Sequence, residues 1–340
     1  MEQHRIEVLL EAEQPIKHLS ESFGNTGVIA TKKVRQRDGT FARVPHVSAD
    51  AMRHGIREAA AYVMLHAIGG TEKPALSEAA LRLLFAGGMV TGKGDAGSVR
   101  MGEYRKLVEM VPQLAFLGGC AENRTIPGRM DVDDALLVCA ESERFLPPWI
   151  AEECPGASAA TYRESMEEVQ RVRMDPSLDP GKRRLLDAGD ADKIERRLEA
   201  SERASREDDA VAKDAAKSTM MPRRFERVAQ GALFSWRVSV TLYDALDADA
   251  FYTAFCAFAG NMVVGGGRAV GHGRMRVVRA QRMVLRSLSD VPQADEVGLT
   301  VAGASGGNLA VNGATVGQVF IDHIRARAPQ IVEYLKGVNA

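Results

Sequence analysis

The sequence predicts an α+β protein on a ferredoxin-like plan, with strand–helix–strand occurring twice and two large insertions interrupting it. Three patterns predict it. Period-two alternation marks strands at both ends of the chain, and an apolar helical stripe follows each. Residues 70–115 are loop-rich and look like an excursion from the core, and residues 160–217 are too polar to supply it. Ile6, Val8, Leu10 and Ala12 alternate with Arg5, Glu7, Leu9 and Glu11, so the first strand presents one inward face. Ser48 is a good N-cap, and Met52, Ile56, Ala59 and Val63 follow at helical spacing until Gly69-Gly70. Met130, Val132, Leu136 and Val138 have strand character. Phe234, Trp236, Val238, Val240 and Leu242 form the clearest strand. Phe251, Ala254, Phe255 and Phe258 then make the second stripe, and an arginine-rich strand occupies 274–286. The core is therefore expected in residues 1–60, 104–145 and 222–340.

Between these elements the punctuation is clear. Val28–Val44 reads as a basic hairpin turning at Asp38-Gly39, with Pro45 expected to end it. Residues 70–115 are loop-rich, with Gly87-Gly88 and further glycines from Gly92 to Gly97, and 104–117 is predicted helical. Residues 160–217 are crowded with both charges and show helical spacing at Ile194 and Leu198. This tract is read as a projecting insertion.

Composition excludes several function classes. The 340 residues are 45% hydrophobic, enough for one large core or two modest ones. No run approaches the roughly 18 apolar residues of a membrane span, and residues 1–25 are charged throughout, so a cytoplasmic protein with no membrane partner is expected. Cys120, Cys139, Cys154 and Cys256 are scattered, which argues against a disulfide framework and a zinc site. Net charge is −1, yet the charge is unevenly spread. Residues 28–57 carry seven Lys and Arg against Asp38 and Asp50, and residues 263–288 carry six Arg and no acid. Two basic surfaces in a near-neutral chain suit a protein that tracks a phosphate backbone; solvated charged faces are the plain alternative.

Other chemistry finds little support. Gly265–Gly273 contains a GxGxxG-like spacing, but a helix precedes it and a strand follows, the reverse of a dinucleotide fingerprint. Such a loop still lets a sugar-phosphate backbone approach closely, or serves as a tight chain crossing. The seven histidines show no paired ligand spacing, so no metal and no cofactor are expected. Asp131, Asp133 and Asp134 form a weak acidic cluster, whose strand alternation sends Asp134 away from the other two. His46, beside a basic helix start, is the one candidate for general acid–base work.

Four landmarks in order resemble the RAMP superfamily of CRISPR proteins. Pro15-Ile16 precedes a basic segment leading into Val44-Pro45-His46-Val47-Ser48 and Arg53-His54-Gly55-Ile56-Arg57. Phe116-Leu117-Gly118-Gly119 is followed by Gly128-Arg129-Met130-Asp131-Val132-Asp133-Asp134-Ala135. Arg224-Phe225 opens a basic turn into a core strand, and Gly265–Gly273 resembles the family's carboxy-proximal glycine loop. The chain looks most like the backbone subunit of type IV systems. That resemblance implies an RRM-like palm, a finger-like insertion at 61–103 and a charged thumb-like insertion at 146–221. It also implies a subunit that binds guide RNA (crRNA), lies in several copies along it, joins other effector subunits and meets target nucleic acid through pairing to the guide. RRM-type proteins bind RNA on their sheet. Together with the basic patches, the resemblance makes Lys32, Lys33, Arg35, His46, Ser48, Arg53, Arg57, Arg224, Gly266, Gly267, Arg268, His272 and Arg274 the candidate RNA contacts, with front and rear patches converging on one groove. Met220 and Met221 are candidates to displace a base. Type III relatives cut RNA with an acidic residue after the first strand. Here that loop offers only Glu21 among Ser20, Ser22, Asn25 and Thr26, so no catalytic residue is expected. The alternative reading is an endoribonuclease of the same superfamily that processes guide or cleaves target, with His46 as acid or base for guide processing.

Overall fold

The structure, a computed structural model, describes residues 1–23, 26–69, 76–89, 97–121, 123–173, 184–187, 189–196, 199, 221–285, 293–296, 299–301, 309–311 and 314–337. In chain order, β1 (Glu2–Ala12) leads to β2 (Leu19–Phe23), β3 (Thr26–Ile29), β4 (Thr31–Arg35) and β5 (Phe41–Val47). Helices α1 (Ala49–Ala67) and α2 (Glu78–Ala86) follow, then β6 (Gly97–Ser98), α3 (Met101–Met110) and α4 (Leu114–Leu117). Four short strands come next: β7 (Gly119–Ala121), β8 (Arg124–Ile126), β9 (Met130–Val132) and β10 (Ala135–Leu137). Helices α5 (Pro148–Glu153) and α6 (Pro155–Ala159) precede β11 (Met166–Arg173). The remainder holds β12 (Met221–Val228), β13 (Leu233–Leu242), α7 (Ala245–Gly260), β14 (Met275–Leu285), β15 (Gln293–Glu296), α8 (Gln318–Ala326) and α9 (Ala328–Gly337). No helix among the described residues is long and apolar enough to cross a membrane.

The chain forms two compact units: residues 1–18, 30–166 and 228–340 in one, and 19–29 with 167–227 in the other. Residues 61–103 fall within the first.

The first unit is built on a sheet in the order β15-β14-β1-β13-β10-β5-β4, with β9 also on β13. Its pairings are antiparallel; Ile6 lies opposite Val238, and Val8 opposite Trp236. Taking β1, β10, β13 and β14 as first to fourth, the spatial order is fourth, first, third, second. This is the ferredoxin-like α+β arrangement that the alternation predicts. One face, with Ile6, Val8, Leu10, Phe234, Trp236 and Val238, is buried under α1 and α7. Trp236 stacks on Phe255 with centroids 5.7 Å apart, and Phe116 meets Phe251 edge-on at 5.6 Å.

The opposite face is not the open platform expected of an RRM-like sheet. Leu9, Val138, Leu146 and Ile150 form a second apolar cluster there, with Trp149 and Leu233 packed against it. Trp149 Nε1 donates to Glu7 Oε2 at 3.0 Å, and Arg279 pairs with Glu153 at 2.8 Å. Thus α5 covers part of the sheet, because Leu9 and Leu233 supply apolar surface at positions where the alternation was expected to be solvent-facing.

Other departures are local. Pro45 lies inside β5 rather than ending it. It is opposite Thr31 of β4, while the next residues, His46 and Val47, pair with β10. Pro45 thus sits at the handover between two partners, where a missing N–H costs least. Pro112 divides the expected 104–117 helix into α3 and α4. Within the loop-rich stretch, α2 buries Ala80, Leu83 and Leu84 behind a Ser77 cap. In the second unit, β11 is a strand within the tract read only as a charged insertion, in a sheet ordered β11-β12-β3-β2. Ile194, expected as part of a polar tract, is buried; Leu198, Met220, Asn25, Gly92, Gly94 and Arg286 lie outside the described residues.

Candidate nucleic-acid interface

The hairpin β4–β5 turns at Asp38-Gly39, as its sequence requires: Asp38 accepts from the Thr40 N–H at 2.9 Å, and Gly39 has φ +88°. Strand β4 is an edge strand. Val34 is buried, whereas Lys32, Lys33 and Arg35 are exposed. All four line a cavity of about 510 Å³ that also takes in Asp133, Asp134, Phe145, Ser235 and Arg237. Two of its cations are neutralised: Lys32 Nζ is 2.7 Å from Asp134 Oδ2, and Arg237 Nε donates to Asp133 at 2.7 Å. Lys33 Nζ lies 4.2 Å from the Phe41 ring centroid.

Asp134 ties this cavity to the start of α1. Its Oδ1 accepts from the Ala49 N–H at 2.8 Å, and the Ser48 hydroxyl accepts from the Ala51 N–H at 3.3 Å. The Ser48 N–H donates to His18 Nε2 at 3.2 Å, which makes that nitrogen the unprotonated one. Ser48 is thus committed to capping its own helix, and the amides most useful to an incoming phosphate are already occupied. The His18 and His46 rings stand nearly perpendicular, with centroids 6.3 Å apart. Burial lowers the pKa of both; the neighbouring His46 lowers His18 further, and Asp134 opposes the shift in each. Burial acts to raise the Asp134 carboxyl, but the hydrogen bonds from Lys32 and Ala49 outweigh it, so its pKa is lowered. His46 Nδ1 is buried without a hydrogen-bond partner, although the residue as a whole is partly exposed.

Arg53 and Arg57 do share a face of α1, but that face looks inward. Arg57 is only 7% exposed and donates to Leu117 O at 3.2 Å and Gly118 O at 3.0 Å. Arg53 donates to the same Leu117 carbonyl and to Met130 O at 3.2 Å. The Leu117 and Gly118 carbonyls end α4, where a helix leaves acceptors without internal partners, so the arginines cap it, while Met130 O lies in β9. Burial and the Arg53 charge lower the Arg57 pKa to about 10. Both were expected as surface grips; Arg57 is a structural group.

The glycine loop is a tight chain crossing. Gly266 N–H donates to Lys17 O at 2.7 Å and Gly273 N–H to Pro15 O at 3.0 Å. Gly273 has φ +95°, and a Cβ there would collide with the Val264 carbonyl oxygen. His272 is 1% exposed and packs against Gly267, so neither its ring nor the Gly266 amide presents an open contact. Arg268 and Arg274 are exposed and line a different groove, about 520 Å³, between α1 and α7. Glu58, Tyr62 and Phe258 form its walls, with Arg268 3.9 Å from Glu58. The two cavities share no lining residue among the described residues: Lys32, Lys33 and Arg35 line one, and Arg268 and Arg274 the other. In the second unit, exposed Arg224 pairs with Glu168, and Glu21 is exposed on β2 rather than in a loop. Among the described residues no group of three or more His, Cys, Asp or Glu is placed to hold a metal ion.

Sequence reasoning passed over His18 and Arg237. Arg237 carried a signal: alternation along β13 puts it on the face away from the core. His18 carried none, because its partner is 30 residues away.

No family model matches the sequence, and no curated protein matches it. Among solved structures, one chain of a Type IV-B CRISPR complex aligns with 84% of this chain and 92% of its own length. The TM-score is 0.51 and the identity 18%. This chain has the fold of a Type IV-B CRISPR complex chain. The likeness is one of fold, and it agrees with the type IV resemblance carried by the four sequence landmarks.

Proposed function

We propose that this chain is the guide-RNA-binding backbone subunit of a CRISPR effector complex and is not a nuclease. Copies would lie side by side on one guide, alongside other effector subunits, while target nucleic acid pairs with the exposed guide bases. The observation that carries this reading is the exposed edge strand β4. Lys32, Lys33 and Arg35 project from it into a cavity shared with Arg237, on a chain whose fold is that of a CRISPR complex chain. The groove with Arg268 and Arg274 offers a second positive surface. Contacts of this kind go to phosphates and accept any sequence, as a guide holder requires.

The test is fluorescence anisotropy with two unrelated single-stranded RNAs across a salt series. Replacing Lys33 and Arg35 by Gln, and separately Arg268 and Arg274, is expected to weaken both RNAs equally. Each lost phosphate contact should reduce the log–log salt slope by about 0.7. Affinity and slope unchanged in both double variants would overturn the reading; a change in one alone would assign the grip to that surface.

A further inference from the structure

We infer that the cavity beside β4 holds one unpaired base of the bound strand, stacked on Phe145; this rests on the guide-binding reading above. The cavity is not a simple basic patch. Its cations, Lys32, Lys33, Arg35 and Arg237, outnumber its carboxylates by four to two, and its wall is apolar, with Val34, Leu136 and Phe145. At about 510 Å³ it lies within the roughly 300–1,000 Å³ of small-ligand sites. A positive rim over an apolar, aromatic wall matches the two halves of a nucleotide, phosphate outside and base inside.

Phe145 is the group that needs explaining. It is 50% exposed although its neighbour Leu146 is anchored in the apolar cluster over the sheet. The turn that carries it is held by hydrogen bonds. The Phe145 N–H donates to Ser142 O at 2.8 Å, Arg144 donates to Arg35 O at 3.3 Å, and Gln36 Nε2 donates to Glu141 O at 3.1 Å. The turn bearing the ring is therefore stitched to the end of β4, and the Arg144 guanidinium lies 5.1 Å from the ring centroid. A second exposed ring, Phe41, is covered by Lys33 on the same hairpin. Fixed rings flanked by cations are how single strands are held without sequence readout, since every base has a stacking face. Preorganisation lowers the ordering cost of binding.

The experiment uses the full chain and single-stranded RNAs carrying one 5-iodouridine at successive positions. Photocrosslinking with peptide mapping and anisotropy are read on the same complexes. A crosslink to Phe145 is expected, lost in Phe145→Leu, with affinity reduced about tenfold for unrelated sequences alike. The exposed ring makes little core contact, so thermal melting of Phe145→Leu should match the parent protein. RNA bound with unchanged affinity by the variant, or crosslinks elsewhere only, would overturn the base site while leaving the guide-binding reading intact. Parent protein that binds no RNA would overturn both.

Discussion

At the scale of single residues, charge type alone does not say what an arginine or histidine does. Arg57 and Arg35 are identical in sequence terms, each within a basic run. Yet Arg57 saturates the carbonyls ending α4, and Arg35 faces a cavity. The difference is set by what packs against α1, which no local pattern records. The histidine pair gives a measurable consequence. His18 and His46 have folded-state pKa values below the ordinary value of about 6.5. The folded state then binds fewer protons than the unfolded chain across that interval, so stability rises with pH and is lost as pH falls below about 6.5. Asp134, also lowered, adds its loss only in the more acidic carboxylate range. The melting temperature is therefore expected to drop between pH 7.5 and 5.5, and His46→Gln should flatten that drop. A variant that loses as much as the parent over this interval would show that the pair does not govern it.

At the scale of elements, the alternation in β1 and β13 and the stripe in α7 were legible because burial on one face leaves a period in the sequence. Ser48 and Asp38-Gly39 were legible because caps and turns are local. Strand β11 was not: its Glu-Glu-Val-Gln-Arg run carries no alternation. The cover that α5 places on the sheet was not either, because it depends on Leu9 and Leu233 meeting Ile150 across distant sequence. The glycine loop admits a sharper statement. Gly273 needs both its positive φ and the space of a missing Cβ, whereas Gly266 has neither constraint, its nearest outside atom being 3.8 Å from a built Cβ. Gly273→Ala should destabilise by at least about 2 kcal/mol, and Gly266→Ala should stay within about 0.5 kcal/mol. Denaturant melts of the two variants decide this. Equal stabilities would mean that the loop is not the rigid crossing described.

At the scale of the whole molecule, 44 basic and 45 acidic side chains leave the protomer nearly neutral while exposed cations line two separate surfaces. Neutral protomers crowd along a strand with little mutual repulsion, and modest contacts per copy add up over several copies. If the guide-binding reading holds, contact between neighbours joins two different surfaces, and such head-to-tail contacts propagate instead of closing into a dimer. Mass should then depend on the length of RNA supplied. Size-exclusion chromatography with light scattering, at fixed protein concentration and with RNAs of increasing length, is expected to show mass rising in steps of one protomer and its RNA segment. The ratio of absorbance at 260 to 280 nm should stay constant from step to step, because each added copy brings the same length of covered strand. High salt should dismantle the assemblies toward protomers, since the shared strand is held through phosphates. A single copy bound at every RNA length, or a closed dimer indifferent to RNA, would remove the backbone role and leave at most an isolated RNA-binding subunit.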